Sequence, residues 1–257
     1  MKSIYRAFAA FAGLVVSSTV AMADPRPFTF SNDTYAVGKG QWEFEQHVRY
    51  LHHTGDEPGF DRYVFREEFE FGVADNFDLA FYLPTFSYTD SQEREGLRFD
   101  SVDVEAVVYL SNPVTDVLGL GLYNEVKVGD ESLGYEFKFL VQKDVGNWTF
   151  LYNLVLETEI EGIFSDAEEE NEVEGELAHT FGVAYAIPDS PFVVGAEVAV
   201  ESLYADWSHY EGTNVYVGPS LSYQGDPFWV TVTPAFEVTG NDEEPLFQLR
   251  AIAGFQF

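Results

Sequence analysis

The chain ends on Leu246-Phe247-Gln248-Leu249-Arg250-Ala251-Ile252-Ala253-Gly254-Phe255-Gln256-Phe257, which alternates with a period of two. Every second position from Phe247 to Phe257 is apolar, and the positions between them are polar or small except for Ile252. Such alternation predicts a β-strand with one apolar and one polar face. The length suits a strand that crosses a bilayer at a tilt. The stretch therefore predicts one strand of a transmembrane sheet.

Alternating stretches of the same kind recur between residues 40 and 257. Between these stretches, short turns such as Asp75-Asn76 and Gly146-Asn147 alternate with longer connections. An even number of strands with short turns at one end and long loops at the other is typical of a transmembrane barrel. We therefore predict an all-β fold: a closed antiparallel transmembrane β-barrel of about twelve strands in up-and-down order. The predicted strands cover residues 41–52, 62–73, 77–89, 97–110, 118–128, 133–145, 148–160, 177–187, 192–201, 215–223, 228–238 and 246–257.

The two faces of the predicted strands differ in chemistry. One face carries large aromatic and aliphatic side chains, and the other carries more charged groups than a dry core could hold. Twelve strands enclose a lumen wider than that of a filled eight-stranded barrel. We expect the apolar face to meet lipid and the charged face to line a wet lumen. The predicted lumen-lining residues are Glu43, Glu45, Arg49, Arg66, Glu68, Glu70, Asp103, Glu105, Glu125, Lys127, Glu136, Lys138, Glu157, Glu159, Glu197, Glu237 and Arg250.

The acidic excess of the inward face supports two interpretations. In one, acidic and basic side chains form a web of cross-strand salt bridges that stiffens a closed barrel. In the other, the surplus carboxylates make a net acidic pore that favours cations or cationic solutes. The sequence leaves both interpretations open.

The first 23 residues have the pattern of a secretory signal peptide. Lys2 and Arg6 precede an apolar run, and Ala21-Met22-Ala23 has the form of a cleavage site. We predict a signal peptide over residues 1–23 that is cleaved near Ala23, a periplasmic lead-in over 24–39, and the barrel over 40–257. The predicted destination is the bacterial outer membrane.

The composition restricts the partners. The net charge is −31 at pH 7, and removal of residues 1–23 takes away Lys2 and Arg6 but no acidic residue. A chain so acidic lacks the basic footprint that nucleic acid requires. It also lacks cysteine, which excludes disulfide bonds. The expected partners are outer-membrane lipids and lipopolysaccharide, the barrel-assembly machinery, and a cationic or other small-molecule solute.

Several stretches resemble known outer-membrane proteins. They are Glu70-Phe71-Gly72-Val73-Ala74-Asp75-Asn76-Phe77-Asp78-Leu79-Ala80-Phe81-Tyr82-Leu83-Pro84 and Leu118-Gly119-Leu120-Gly121-Leu122-Tyr123-Asn124-Glu125, with Gln142-Lys143 and Asn147-Trp148 downstream. Together they resemble the transporter-like outer-membrane proteins assigned to the MetA pathway of phenol degradation. The final strand, which ends on Phe255 and Phe257, resembles the C-terminal barrel-targeting signature of bacterial outer-membrane barrels. These resemblances imply the fold and location and bring no catalytic residues.

The sequence offers weak candidates for catalysis or metal binding. Ser208 and His209 are neighbours in a predicted outer loop, which is a poor scaffold for a hydrolase site. His52-His53 and the nearby acids do not have the spacing of a standard metal site. The longest predicted loop, residues 162–174, is rich in acids but lacks the ligand order of an EF-hand. It is either solvated or bridges weakly through Ca²⁺ or Mg²⁺ to the phosphates of lipopolysaccharide. We predict no enzyme, cofactor, catalytic residue or metal site. The loop acids are Asp166, Glu168, Glu169, Glu170, Glu172 and Glu174.

The inward polar face favours one function over two others. We expect a passive channel or transporter for small solutes with an acidic, cation-preferring lumen. One alternative is a structural or surface-interaction barrel without an open pore. The second alternative is an outer-membrane hydrolase.

Overall fold

The structure is a computed structural model that describes residues 25–92, 94–164, 171–240 and 244–257. The predicted signal peptide, its cleavage site and the loop acids from Asp166 to Glu170 lie outside the described residues. No helix among the described residues is long and apolar enough to cross a membrane.

The described chain forms thirteen β-strands that belong to one sheet. They are β1 (Trp42–Thr54), β2 (Asp61–Ala74), β3 (Phe77–Tyr82), β4 (Thr85–Asp90), β5 (Glu95–Ser111), β6 (Gly119–Val128), β7 (Ser132–Val145), β8 (Trp148–Glu161), β9 (Glu172–Ala186), β10 (Phe192–Ala205), β11 (His209–Gln224), β12 (Phe228–Glu237) and β13 (Pro245–Gln256). β3 and β4 both pair with β2 on one side and with β5 on the other. They therefore occupy one place in the sheet, which gives a barrel of twelve places.

The break between β3 and β4 falls at Leu83-Pro84, inside a stretch that the sequence predicts to be one strand. Proline has no backbone N–H to donate and interrupts a ladder of hydrogen bonds. The ladder resumes on the other side of the break, where Thr85 pairs with Ser101.

The sheet closes through its first and last strands. β1 pairs antiparallel with β13 from Glu43–Gln256 to Thr54–Pro245. The closing hydrogen bonds join the backbones of Trp42 and Phe257 at 2.9 and 3.2 Å. Closure satisfies the edge groups that would otherwise face lipid. The predicted closed antiparallel barrel is confirmed.

The outward face is apolar. Phe65, Phe81, Phe150, Phe181 and Leu221 project from different strands and are between 39% and 52% exposed. Such exposure would be costly in water and is expected of side chains that face hydrocarbon. The predicted apolar outer face is thus the surface that the fold presents to lipid.

Aromatic side chains gather where strands meet the short turns, an end that we call the short-turn end. Trp42 packs on Phe71 with ring centroids 4.6 Å apart, and Trp148 packs on Tyr185 at 4.9 Å. Phe255 also lies at this end, where it pairs with Phe44 across the β1–β13 seam. A ring of aromatic residues at one end is typical of the membrane–water boundary of such barrels.

Residues 25–41 precede β1 and run inside the barrel at its short-turn end. We call them the N-terminal segment. Phe28 is fully buried, and Ser31, Thr34 and Val37 are between 3% and 7% exposed. This placement differs from the predicted periplasmic lead-in over 24–39, because the segment lies within the lumen and not outside the barrel. Its lack of period-two alternation gave no sign that the strands would enclose it.

Candidate functional site: the barrel lumen

The N-terminal segment is held chiefly by its backbone. The carboxylate of Glu197 on β10 accepts the N–H groups of Thr29, Phe30 and Ser31 at 2.9, 2.8 and 3.2 Å. It also accepts the hydroxyl hydrogens of Thr29 and Thr233 at 3.1 and 2.8 Å. Glu197 is 1% exposed, so these bonds supply the stabilisation that water would otherwise give the charge.

Side-chain amides and a second acid fix the rest of the segment. Asn153 accepts the N–H of Asn32 at 2.7 Å and donates to its carbonyl at 3.0 Å. The backbone N–H of Thr34 donates to Gln142 at 2.7 Å. Asp78 accepts the N–H of Val37 at 3.0 Å. These partners come from β3, β7 and β8, so the segment is attached to several sides of the lumen.

One apolar side chain anchors the segment. Phe28 packs in a cluster with Leu151, Ala184 and Val193. A Cβ atom added to Gly182 would lie 2.8 Å from the Phe28 ring, so only glycine leaves room for the ring there. The segment is thus fitted to the wall by shape as well as by hydrogen bonds.

A buried acidic cluster lies between the segment and the β1–β2 wall. The guanidinium of Arg26 lies 3.1 Å from Glu45 and 3.6 Å from Glu70. His47 Nε2 lies 2.9 Å from Glu45 and 3.1 Å from Glu68. The ligand atoms of Glu45, His47 and Glu68 lie within 4.8 Å of one another, so this trio could hold a metal ion. The same distances suit an imidazolium ion that bridges two carboxylates.

Asp33 is the acid that the segment itself contributes. It is 9% exposed, and Oδ1 accepts the backbone N–H of Tyr35 at 3.0 Å. Burial raises the pKa of Asp33 from its usual range to about 6, while Arg26 and the Tyr35 N–H oppose the rise. Asp33 therefore changes charge in the pH range just below neutrality.

A row of glutamates follows the hydrogen-bond register around the wall. Glu43 on β1 stands opposite Glu70 on β2, and Ala80 on β3 comes next. From Ala80 the row continues through directly opposed pairs of Glu105, Glu125, Glu136, Glu157 and Glu176. Directly opposed side chains have Cβ atoms about 4.5–5.5 Å apart. The row connects the buried cluster to the other half of the lumen, and we call it the glutamate row.

Basic side chains neutralise part of this row. Arg66 contacts Glu125 at 2.6 Å and Asp103 at 3.0 Å. Lys127 bridges Glu136 and Glu157 at 3.2 and 2.5 Å. The cross-strand web that the sequence left open as one interpretation is therefore present in the described residues. It coexists with glutamates that exceed the available cations.

A cavity of about 880 Å³ occupies the lumen on the side of the long loops, and we call it the vestibule. Thr29 and Phe30 of the N-terminal segment form part of its lining. Acidic side chains outnumber basic ones along its wall. The charged lining residues are Arg49, Arg62, Arg66, Arg98, Asp100, Asp103, Lys127, Glu136, Lys138, Glu157, Glu159, Glu161, Glu174, Glu176, Glu201, Glu211, Glu244 and Arg250.

The predicted lumen residues fall into two groups. Glu43, Glu45, Glu68, Glu70, Glu105, Glu125 and Glu197 are at most 3% exposed and are buried by the N-terminal segment or by neighbouring side chains. Arg49, Arg66, Asp103, Lys127, Glu136, Lys138, Glu157, Glu159 and Arg250 line the vestibule. Glu237 belongs to neither group, because it lies at a strand end and bonds to Thr239 and Gly240.

Several residues that lie in the lumen were not predicted to do so from the sequence. The predicted strand at 177–187 extends back to Glu172, so Glu174 and Glu176 lie on the wall and not in the loop. Alternation of Glu172, Glu174 and Glu176 with Val173, Gly175 and Leu177 was the available signal. Arg26 and Asp33 carried no comparable signal, because they belong to no strand and lie in the lumen only because the N-terminal segment runs inside the barrel.

The geometry at Ser208 does not form a hydrolase triad. His209 Nδ1 lies 2.8 Å from the Ser208 hydroxyl and 3.4 Å from Asp206 Oδ1. A triad needs one imidazole nitrogen for serine and the other for the acid, whereas here Nδ1 faces both. His209 and Asp206 side chains are 77% and 58% exposed, so the group also lacks a water-excluding pocket.

Comparisons with solved structures agree with this fold. The COG4313 outer membrane channel from Pseudomonas putida F1 matches with a TM-score of 0.61 at 9% identity, covering 88% of this chain and 98% of that one. The NanC porin matches with a TM-score of 0.56 at 11% identity, covering 83% and 98%. These likenesses support an outer-membrane barrel, whereas the resemblance to the phenol-degradation group stays a prediction. No curated protein matches the sequence. Residues 20–248 match the profile of a family of unknown function, DUF6662, and the chain therefore belongs to that family.

Proposed function

We propose that the protein is an outer-membrane channel for small solutes with an acidic lumen that prefers cations. One observation carries the proposal: a wide polar vestibule lies inside a barrel whose outer surface is apolar. Water-filled charged lumens are the transport routes of barrels of this class. The resemblance to a channel and a porin supports the same function.

The glutamate row supports cation preference. Fixed carboxylates in a narrow lumen raise the local cation concentration and repel anions. The row runs from Glu43, opposite Glu70 of the buried cluster, to Glu176 in the vestibule. Glu136, Glu157 and Glu176 are the members of the row that line the vestibule, and cations that pass along its wall would meet them together with Glu159 and Glu174.

The N-terminal segment supports a second candidate. It fills the short-turn half of the lumen through hydrogen bonds and the Phe28 anchor. A permanently bound segment would make a structural barrel without an open pore. In the channel proposal, the segment narrows the pathway and leaves it when solute passes.

Planar-bilayer recording separates the two candidates. The mature protein and a variant that lacks residues 25–37 are reconstituted and recorded across a KCl gradient. The channel proposal expects current from the mature protein, larger current from the shortened variant, and a reversal potential of cation-selective sign. Absence of current from both proteins would leave the structural barrel, and an anion-selective sign would contradict the acidic-pore proposal.

A further inference from the structure

Charge is separated across the vestibule. Arg49, Arg62, Arg98 and Arg250 come from β1, β2, β5 and β13, and we call them the arginine face. Glu159, Glu161, Glu174 and Glu176 come from β8 and β9, and we call them the glutamate face. In the order of strands around the barrel, β8 lies half a turn from β1. The two faces therefore look at each other across the cavity.

The arginine face has more cations than its own carboxylates can neutralise. Arg49 and Arg250 stand directly opposite each other on β1 and β13, an arrangement that costs free energy unless an anion lies between them. Within the described residues, neither guanidinium makes a hydrogen bond or a salt bridge within 4.0 Å. Glu201 interacts electrostatically with both guanidinium groups from a longer distance, and Glu197 interacts in the same way with Arg250. Arg250 rests on the ring of Phe30 at 4.2 Å, which fixes its position without satisfying its donors.

The neighbouring arginines share a single acid. Arg62 approaches Asp100 at 3.7 Å and Arg98 approaches the same carboxylate at 3.9 Å. The Nε atom of Arg62 is buried and has no hydrogen-bond partner among the described atoms. A buried donor without a partner is costly. The arginine face is thus built to accept a further anionic group.

The glutamate face has the opposite imbalance. Glu159 stands directly opposite Glu174, and Glu157 stands opposite Glu176. Lys127 contacts Glu157, whereas no salt bridge reaches Glu159, Glu174 or Glu176 among the described side chains. Opposed like charges on one wall favour a bound cation.

We propose that the vestibule binds a small zwitterionic solute, whose carboxylate contacts Arg49 and Arg250 and whose ammonium group faces the glutamate face. This inference rests on the proposed channel function and names its solute class. The cavity of about 880 Å³ is within the range of small-molecule sites. Guanidinium groups bind a carboxylate through paired charge-assisted hydrogen bonds. A solute that carries both charges can pair its carboxylate with the arginine face and its ammonium group with the glutamate face, whereas a simple anion is repelled by the glutamate face.

Isothermal titration calorimetry on the purified mature protein in detergent tests the proposal without requiring conductance. The probes are a series of ω-amino acids from glycine to 6-aminohexanoate, and each is compared with the alkanoate and the alkylammonium ion of the same chain length. We expect at least one zwitterion to bind about tenfold tighter than both of its single-charge analogues, because two charge-assisted contacts replace one.

Matched variants locate the site. Arg49→Gln and Arg250→Gln should each weaken zwitterion binding about tenfold or more, because each removes a charged partner of the carboxylate. Arg94→Gln makes the same charge change in an exposed loop and should leave binding unchanged. Glu174→Gln with Glu176→Gln should weaken binding of the zwitterion and strengthen binding of the alkanoate, because two carboxylates that attract the ammonium group and repel the anion are neutralised. Heat-modifiable gel migration checks that each variant retains the folded barrel.

Three results would overturn the inference: no binding by any probe, alkanoates that bind as tightly as zwitterions, or binding that survives both arginine substitutions. Failure of the channel function gives a different pattern. A barrel that binds the zwitterion but passes no current would contradict the proposed transport and leave the binding site intact.

Discussion

Glu197 is the residue whose carboxylate organises the N-terminal segment. We predict that Glu197→Ala loosens the segment, because three backbone N–H groups and two hydroxyl groups lose their acceptor. A buried donor left unsatisfied costs about 1–3 kcal/mol. The expected result is a larger mean conductance in planar bilayers, with the folded barrel retained on unheated gels.

A matched glutamate provides the control for this change. Glu237 also lies on the inward-facing side of a strand, but it bonds to Thr239 and Gly240 at the strand end. Glu237→Ala should therefore leave the conductance unchanged. Equal effects of the two substitutions would show that Glu197 has no special relation to the segment.

Asp33 gives the segment a dependence on pH. Its pKa is raised in the docked segment to about 6, so docking favours the protonated carboxyl. Docking is then strongest below the ordinary aspartate pKa and weakens as pH rises through about 6. Each unit of pKa difference changes the docking equilibrium about tenfold.

The expected measurement is a conductance that falls between pH 7.5 and pH 5, with a smaller fall in Asp33→Asn. The variant keeps a side-chain oxygen for the Tyr35 N–H and removes the titration. Other lumen acids titrate in both proteins, so the difference between the two profiles is the quantity that matters. Identical conductance profiles of the two proteins would show that titration of Asp33 does not control docking of the segment.

At the scale of elements, strands could be predicted and the segment could not. Alternation such as Phe228 to Phe236 on β12 arises because one strand face meets lipid and the other water. Residues 25–41 belong to neither surface, since their backbone bonds to side chains of many strands. Such contacts depend on barrel closure, which joins residues as distant as Val37 and Gln256.

The Phe28 anchor predicts how the segment behaves as an element. Phe28→Ala removes a fully buried ring from the cluster with Leu151, Ala184 and Val193. Substitutions of this kind cost about 3–5 kcal/mol in a packed core. We expect a conductance increase comparable to that of Glu197→Ala and faster protease cleavage within residues 25–37.

The substitution Gly182→Val tests the contact between Phe28 and the barrel wall from the side of the wall. Its side chain would meet the Phe28 ring, since even a Cβ atom lies 2.8 Å away. The exposed Gly59 has no heavy atom within 4 Å of an added Cβ, which makes Gly59→Val a suitable control. Release by Gly182→Val but not by Gly59→Val would place the anchor at this contact, and no release by either would contradict it.

At the scale of the whole molecule, the acidic side chains of the inner face divide into buried carboxylates that stabilise the barrel and carboxylates that line the vestibule. Glu125 shows the difference, because it is 1% exposed and bonds to Arg66 and Tyr123. Its neutralisation would break a buried ion pair and destabilise the barrel. Glu159 and Glu174 line the vestibule instead, so ions that permeate the proposed channel would pass them. The alternating pattern placed Glu125 and Glu159 together on the inner face, and burial distinguishes them.

Cation preference should therefore depend on vestibule carboxylates and on salt. We predict that Glu159→Gln with Glu174→Gln moves the reversal potential in a KCl gradient toward zero, since two fixed charges leave the wall. The preference of the unaltered protein should also weaken as salt rises, because the Debye length falls from about 10 Å at 0.1 M to about 3 Å at 1 M. Asp56→Asn with Glu95→Gln removes two outer-loop or strand-end charges that lie outside the vestibule lining and serves as the control. If neither the substitutions nor the salt concentration changes the ion preference given by the reversal potential, the permeating ions do not pass the glutamate face.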